Sequence, residues 1–203
     1  MARLFLVRHG ETDSNSAFRY WGKTDVGLGS EGIRQAEQIR DRLADQRIDC
    51  IYTSDLRRTR LTAEIIARPH QIDIINCPEL REIDFGEVEG LDFKEVQAKF
   101  PEVARKWIQH DPELVYPGGE SLLQLDERIA RFRSRLSAHA PQETVLIVAH
   151  SGVLRTLICQ LLGMDLKYRW NLRIDLASLS IVETYPNFAI LSLLNDVSHL
   201  KDR

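Results

Sequence analysis

The chain has 203 residues, of which 43% are hydrophobic and 28% charged, with a formal net charge of -3 and a pI near 6.1. That length suits one well-buried α/β core and is short for two, so a single domain over residues 1–203 is expected. A slightly acidic chain has no basic field for nucleic acid or an anionic membrane, so any selectivity for anions must be local.

The first apolar run, Leu4-Phe5-Leu6-Val7, follows Met1-Ala2-Arg3 and is cut off by Arg8. It is too short for a secretory leader, and no run approaches a membrane span, so a cytoplasmic protein is expected. The run predicts a strand over Arg3 to Val7, ending in Arg8-His9-Gly10-Glu11-Thr12. A strand end is where open α/β sheets do chemistry. A neutral imidazole attacks phosphorus well, and a guanidinium beside it can hold phosphate oxygens as charge develops.

A helix is predicted from Ser30, its N-cap, to Leu43, with Ile33, Ala36, Ile39 and Leu43 on the inner face. Asp49 to Tyr52 reads as a strand. The next helix, capped by Ser54 or Asp55, runs to Ala67 before Pro69, and its free N-terminal amides with Arg57 and Arg58 suit an anion. These two arginines point about 100° apart, so one faces a pocket, and spacing does not choose between them. A strand follows over Ile72 to Ile75.

From Pro78 to Gly119 the pattern breaks up, with Pro101, Pro112 and Pro117 and short helices after Asp92 and Pro101, as expected of an insertion over the sheet. Its root carries Glu79, Glu82, Asp84, Glu87 and Glu89. Any of the five could donate a proton to a leaving oxygen, with its pKa raised by nearby phosphate charge if held in place. Phe85, Phe93, Trp107 and Tyr116 suit a small core of the insertion, or a stack on an aromatic ligand.

Leu122, Leu125, Ile129, Phe132 and Leu136 form the core stripe of a helix capped by Ser121. Thr144 to Ala149 is an apolar run typical of a central strand buried on both faces, and it ends in His150-Ser151-Gly152 before a helix to Leu162. His150 therefore stands where His9 stands, and two such strands in one parallel sheet place the imidazoles side by side. Ser178 to Thr184 and Phe188 to Leu194 predict a hairpin at a sheet edge. The alternation of strands and helices predicts a three-layer α/β/α fold, a mostly parallel sheet with helices on both faces and a small helical insertion at about 83–120 over the active site. Cys50, Cys77 and Cys159 are expected to be buried free thiols.

Four separately placed motifs resemble the histidine phosphatase superfamily, the phosphoglycerate-mutase-like enzymes. Arg8-His9-Gly10 begins that family's signature. Ser54, Leu56, Arg58 and Thr59 match its second motif, which implies that Arg58 is the phosphate ligand, although Leu61 stands where Gln is usual. Leu80, Glu82, Gly86, Glu89 and Gly90 match its third, which assigns the acid/base role to Glu82, with Val88 where an aromatic is common. His150 completes the set. The resemblance implies a two-step, metal-free and cofactor-free hydrolysis of a small phosphomonoester through phosphohistidine at His9. Arg8, Arg58 and His150 would hold the non-bridging oxygens, with Glu82 as acid and then base. Asn15 and Ser151 are expected at the substrate, and Trp21 to Asp25 with Leu28 are expected to line the pocket.

The length, the compact insertion and the Leu194-Asn195-Asp196 and His199-Leu200 segments resemble the family's small bacterial members that act as α-ribazole phosphatases. Phosphoglycerate mutase or a broad sugar and nucleotide phosphatase are alternatives within the family. Outside it stand a metallohydrolase, which would set two arginines beside a cation, and a non-catalytic binding module. Expected partners are the phosphomonoester itself and, as an open option, a second copy of the chain.

Overall fold

A computed structural model describes residues 2–13 and 19–200. A six-stranded sheet runs through it: β1 (Ala2–Arg8), β2 (Cys50–Thr53), β3 (Ile74–Asn76), β4 (Thr144–Ala149), β5 (Leu179–Thr184) and β6 (Ala189–Asp196), in the order β3-β2-β4-β1-β5-β6. β3, β2, β4 and β1 are mutually parallel; β5 runs antiparallel to β1 and β6. The expected hairpin thus adds two strands, with β6 at the edge.

Side chains alternate across each central strand and feed two cores. Phe5, Val7, Leu146 and Val148 face α1 (Ser30–Leu43) and α2 (Arg57–Ala67), through Ile39, Leu43, Ala63 and Ile66. Leu4, Leu6, Val145 and Ile147 face α5 (Leu122–Leu136) and α6 (Ser151–Leu162). All five residues of the α5 stripe are buried, Ile129 and Phe132 completely, each contributing about 1.5–3 kcal/mol by burial. Ser121 caps α5 reciprocally with Gln124. The insertion carries α3 (Phe93–Lys99) and α4 (Pro101–Ile108), which join the second core.

Several local expectations shift. The N-cap of α1 is Gly29, without a side-chain bond, and Ser30 is already helical. Ile33 is 38% exposed, while Gly32 and Gln35 point inward. The loop after β1 causes this: a Cβ on Gly32 would stand 1.9 Å from the Glu11 carbonyl oxygen, and Gln35 Oε1 accepts from the Glu11 amide at 2.9 Å. α2 begins at Arg57 with Leu56 as N-cap, so neither Ser54 nor Asp55 caps it. Ser54 is held elsewhere and Asp55 pairs with Arg81. The three cysteines are free, with Cys50 only half-buried.

β1 and β4 are neighbours, with Arg8 opposite Ala149. The chain leaves β1 toward α1 on one face and β4 toward α6 on the other. That divergence opens a crevice at the carboxyl ends of the two strands, where open α/β sheets bind ligands.

Candidate active site

The register carries straight into the two histidines. The His9 amide donates to the Ala149 carbonyl at 3.1 Å, and the His9 and His150 rings stand 5.1 Å apart at 63°. Both side chains are buried. His9 Nδ1 lies 2.7 Å from the Gly10 carbonyl oxygen. A carbonyl only accepts, so Nδ1 carries the proton and the lone pair sits on Nε2. Burial, then the charges of Arg58 and Arg8, hold the His9 pKa well below its ordinary value. The ring is neutral at neutral pH, with one nucleophilic nitrogen.

His150 is neutral for the same reasons, burial first and Arg58 next. Arg58 Nε donates to its Nδ1 at 3.3 Å, so the proton is on Nε2, which donates to Ser54 Oγ at 2.9 Å. Ser54 passes the chain to Thr59 at 2.6 Å. Both ring nitrogens are engaged, so in this arrangement His150 steers Arg58 and has no free N–H for an oxygen. The sequence offers Ser54 or Asp55 as a helix cap and Ser54 as a motif position; its hydrogen bond to His150 spans 96 residues and leaves no local signal.

Of the two candidate arginines, the structure brings Arg58 to the crevice. It is 1% exposed and lines the cavity, with Nη1 donating to the Thr24 carbonyl at 2.9 Å and Nη2 to Gly22 at 2.6 Å. Arg57 faces outward and pairs with Asp25. Arg8 also lines the cavity, donating from Nη1 to the Ile174 carbonyl at 2.8 Å, while its buried Nε has no partner. Burial pushes the Arg8 pKa down to about 10, against the opposing pull of Glu82.

Among the five carboxylates at the root of the insertion, Glu82 alone lines the cavity. Its Oε1 accepts from the Ile83 amide at 3.0 Å and its Oε2 from the Gly152 amide at 3.1 Å. The N-terminus of α6 thus fixes it, where an acidic group is favoured. Asp84 is taken by Lys23, Glu89 by the amides of Lys23 and Thr24, and Glu79 by Arg135.

The cavity has a volume of about 410 Å³. Ser151 lines it, as do Trp21 and, from the insertion, Phe85, Phe93, Trp107 and Tyr116. The insertion aromatics also touch one another, Phe85 and Tyr116 at 5.0 Å and Trp107 and Tyr116 at 5.7 Å, so the small core and the pocket wall are one structure. Gly22, Lys23 and Thr24 hold Arg58 and Glu89 through their backbone, and Asn15 lies outside the described residues. Thr12, from the strand-end stretch, also lines the cavity, as do Arg19, His110, Arg155 and Trp170, which were not singled out by the sequence. Among the described residues no three His, Cys, Asp or Glu side chains form a group able to hold a metal ion.

Two strand-end imidazoles, two arginines and a helix-held carboxylate converge on one crevice, an arrangement whose charges suit a phosphate ester. The model of the histidine phosphatase superfamily (branch 1) matches residues 4–197. Phosphoserine phosphatase 1 of Hydrogenobacter thermophilus is 34% identical over 98% of this chain and 95% of its own. Adenosylcobalamin/α-ribazole phosphatase of Escherichia coli is 32% identical over 95% of both. The crystal structure of α-ribazole phosphatase from Shigella flexneri superposes with a TM-score of 0.88, at 32% identity over 96% of each chain. The chain belongs to the histidine phosphatase superfamily and, with it, to the phosphoric monoester hydrolases.

Proposed function

We propose that the protein hydrolyses small phosphomonoesters without a metal, through a phosphohistidine on His9 Nε2. The observation that carries this is the His9 Nδ1 bond to the Gly10 carbonyl, which leaves Nε2 as the lone-pair nitrogen of a neutral imidazole beside two guanidiniums. In the first step Nε2 attacks phosphorus in line. Arg8 and Arg58 neutralise the non-bridging oxygens, and protonated Glu82 gives its proton to the departing alkoxide. In the second step Glu82 takes a proton from water as the water attacks the phosphohistidine, which returns inorganic phosphate. His150 acts on phosphate through Arg58 in the resting arrangement. A bound dianion favours a proton on its Nδ1, which then donates to the third oxygen. A metal ion is disfavoured at this place by the same two guanidiniums.

Rapid quench with a radiolabelled ester tests the mechanism. Acid-labile, base-stable label on wild-type protein, absent from His9→Ala, is the expected result; normal turnover by His9→Ala would overturn it. For the leaving group, the aromatic wall and the α-ribazole phosphatase relatives support α-ribazole 5'-phosphate as a substrate. The phosphoserine phosphatase relative supports a small charged ester instead. Comparing kcat/KM for the two separates them.

A further inference from the structure

The carboxylate of Glu82 is held by two amides, and the backbone that carries it is held by a different element, α5. That backbone, from the short 3-10 turn Pro78–Leu80 to Asp84, is where the chain leaves the sheet for the insertion. Arg128, on α5, spends all five of its N–H donors here. Nη1 donates to the Glu79 carbonyl at 2.6 Å and to the Arg81 carbonyl at 2.7 Å, and Nη2 reaches the Glu82 carbonyl at 3.5 Å. Nε and Nη2 also form a fork on Glu120, at 2.9 Å to Oε1 and 2.7 Å to Oε2.

Glu120 brings the other arm of the insertion to the same place. Its Oε2 also accepts from the Asp84 amide at 3.0 Å, and its own amide donates to the Asp84 carbonyl at 2.9 Å. One largely buried pair thus ties residues 79–84, where the insertion begins, to Glu120, where it ends, and both to a core helix. Stability alone does not account for such a pair. Burial strips water from both charges, and apolar residues of similar volume often serve as well. What a guanidinium supplies is a rigid plane with donors at fixed angles. With the Glu79 and Arg81 carbonyls drawn to that plane the turn is locked, and the Glu82 side chain leaves it toward the Gly152 amide.

We infer that Arg128, with Glu120, is a positioning residue for the proton transfer, holding the Glu82 carboxyl at the leaving oxygen without touching substrate. The inference rests on the phosphomonoesterase reading. Arg128 lies outside the cavity lining, so it acts through the turn that carries Glu82. Attack by His9 Nε2 and the grip of Arg8 and Arg58 on phosphate do not depend on that turn. The distance from the Glu82 carboxyl to the leaving oxygen does. Arg128 also has a reach by charge: burial and Arg58 dominate the lowered pKa of His150, and Arg128 adds to it. Geometry and charge are separated by a lysine, which keeps the charge and lacks the fork.

The test compares phenyl phosphate, whose phenolate needs a proton to leave, with p-nitrophenyl phosphate, whose nitrophenolate does not. Phosphorylation of His9 is timed by rapid quench. Arg128→Met should slow that step about thirtyfold for phenyl phosphate and about threefold or less for p-nitrophenyl phosphate, since a misplacement near 1 Å can cost on the order of 10²-fold. The KM of both esters should stay within about twofold of wild type, because the phosphate ligands are untouched. Arg128→Lys should keep most of the selective loss, and it decides the matter if Arg128→Met does not fold. Equal slowing of the two esters in folded protein, or none, overturns the inference. Wild-type rates in Arg128→Lys assign the effect to charge and overturn it too. A second readout needs no turnover: the NMR resonance of the Gly152 amide should move, in the folded Arg128 variants, toward its position in Glu82→Ala, and an unmoved resonance rejects the positioning. If wild-type protein forms phosphohistidine from neither ester, the hydrolase reading has failed, and the Gly152 resonance decides the positioning alone.

Discussion

Adding one methyl group at Gly152 tests the placement of Glu82 without altering the carboxylate. A Cβ built there would stand 2.5 Å from Glu82 Oε1 and 3.2 Å from Arg169 Nη2. An ordinary carbon–oxygen contact is about 3.3 Å or more, so Oε1 must retreat by roughly 0.8 Å. Glu82 is a flexible side chain and can swing away, so the protein tolerates the change. Alanine in place of glycine in a helix is worth up to about 1 kcal/mol, and the weakened bond to the Gly152 amide costs a similar amount. The melting temperature should therefore move by no more than about 4 °C. The chemistry should not be spared, since a misplacement near 1 Å can cost on the order of 10²-fold. Gly152→Ala should lower kcat/KM for an alkyl phosphate by about that factor, and for p-nitrophenyl phosphate far less, because nitrophenolate leaves without a proton. Pre-steady-state bursts on both substrates, with melting curves, make the measurement. Equal losses on both at unchanged stability would refute the assignment of Glu82 as the acid.

Glu82→Gln should show the same leaving-group pattern at greater depth, with phosphohistidine accumulating from the activated ester because the base of the second step is gone; rapid quench reads it. Arg58→Ala should cost at least about 10²-fold in kcat/KM, near 3 kcal/mol of transition-state stabilisation, while Arg57→Ala, at an exposed pair with Asp25, should cost little. Ser54→Ala strands the Nε2–H of buried His150 and should lower unfolding free energy by about 1–3 kcal/mol in urea titration. Stability should also fall in acid. The pKa values of His9 and His150 are depressed in the fold, so as pH drops below about 6.5 the unfolded chain takes up protons that the native state refuses. Unfolding free energy should be full at pH 8 and decline below 6.5, less steeply in His9→Ala.

The positions of His9 and His150 were legible because local patterns fix them. Apolar runs at Leu4–Val7 and Val145–Ala149 read as strands of a buried sheet, and the residues just beyond such strands stand at their carboxyl ends, where the pairing of β1 with β4 opens the crevice. The choice between Arg57 and Arg58 was not legible from spacing. It depends on the rotational register of α2, which starts at Arg57, whose backbone amide donates to Asp25 Oδ1 from a distant part of the sequence. Family resemblance supplied Arg58, and burial gives the physical reason. Glu82 was hidden among four other carboxylates for the same kind of cause: the amide that holds it belongs to Gly152, on an element 70 residues away. Arg155 shows the limit from the other side: its place one turn past Ser151 can be read from the sequence, where a charged residue on a helix ordinarily faces solvent, and only the fold sets it in the cavity wall with its guanidinium over the Trp170 ring.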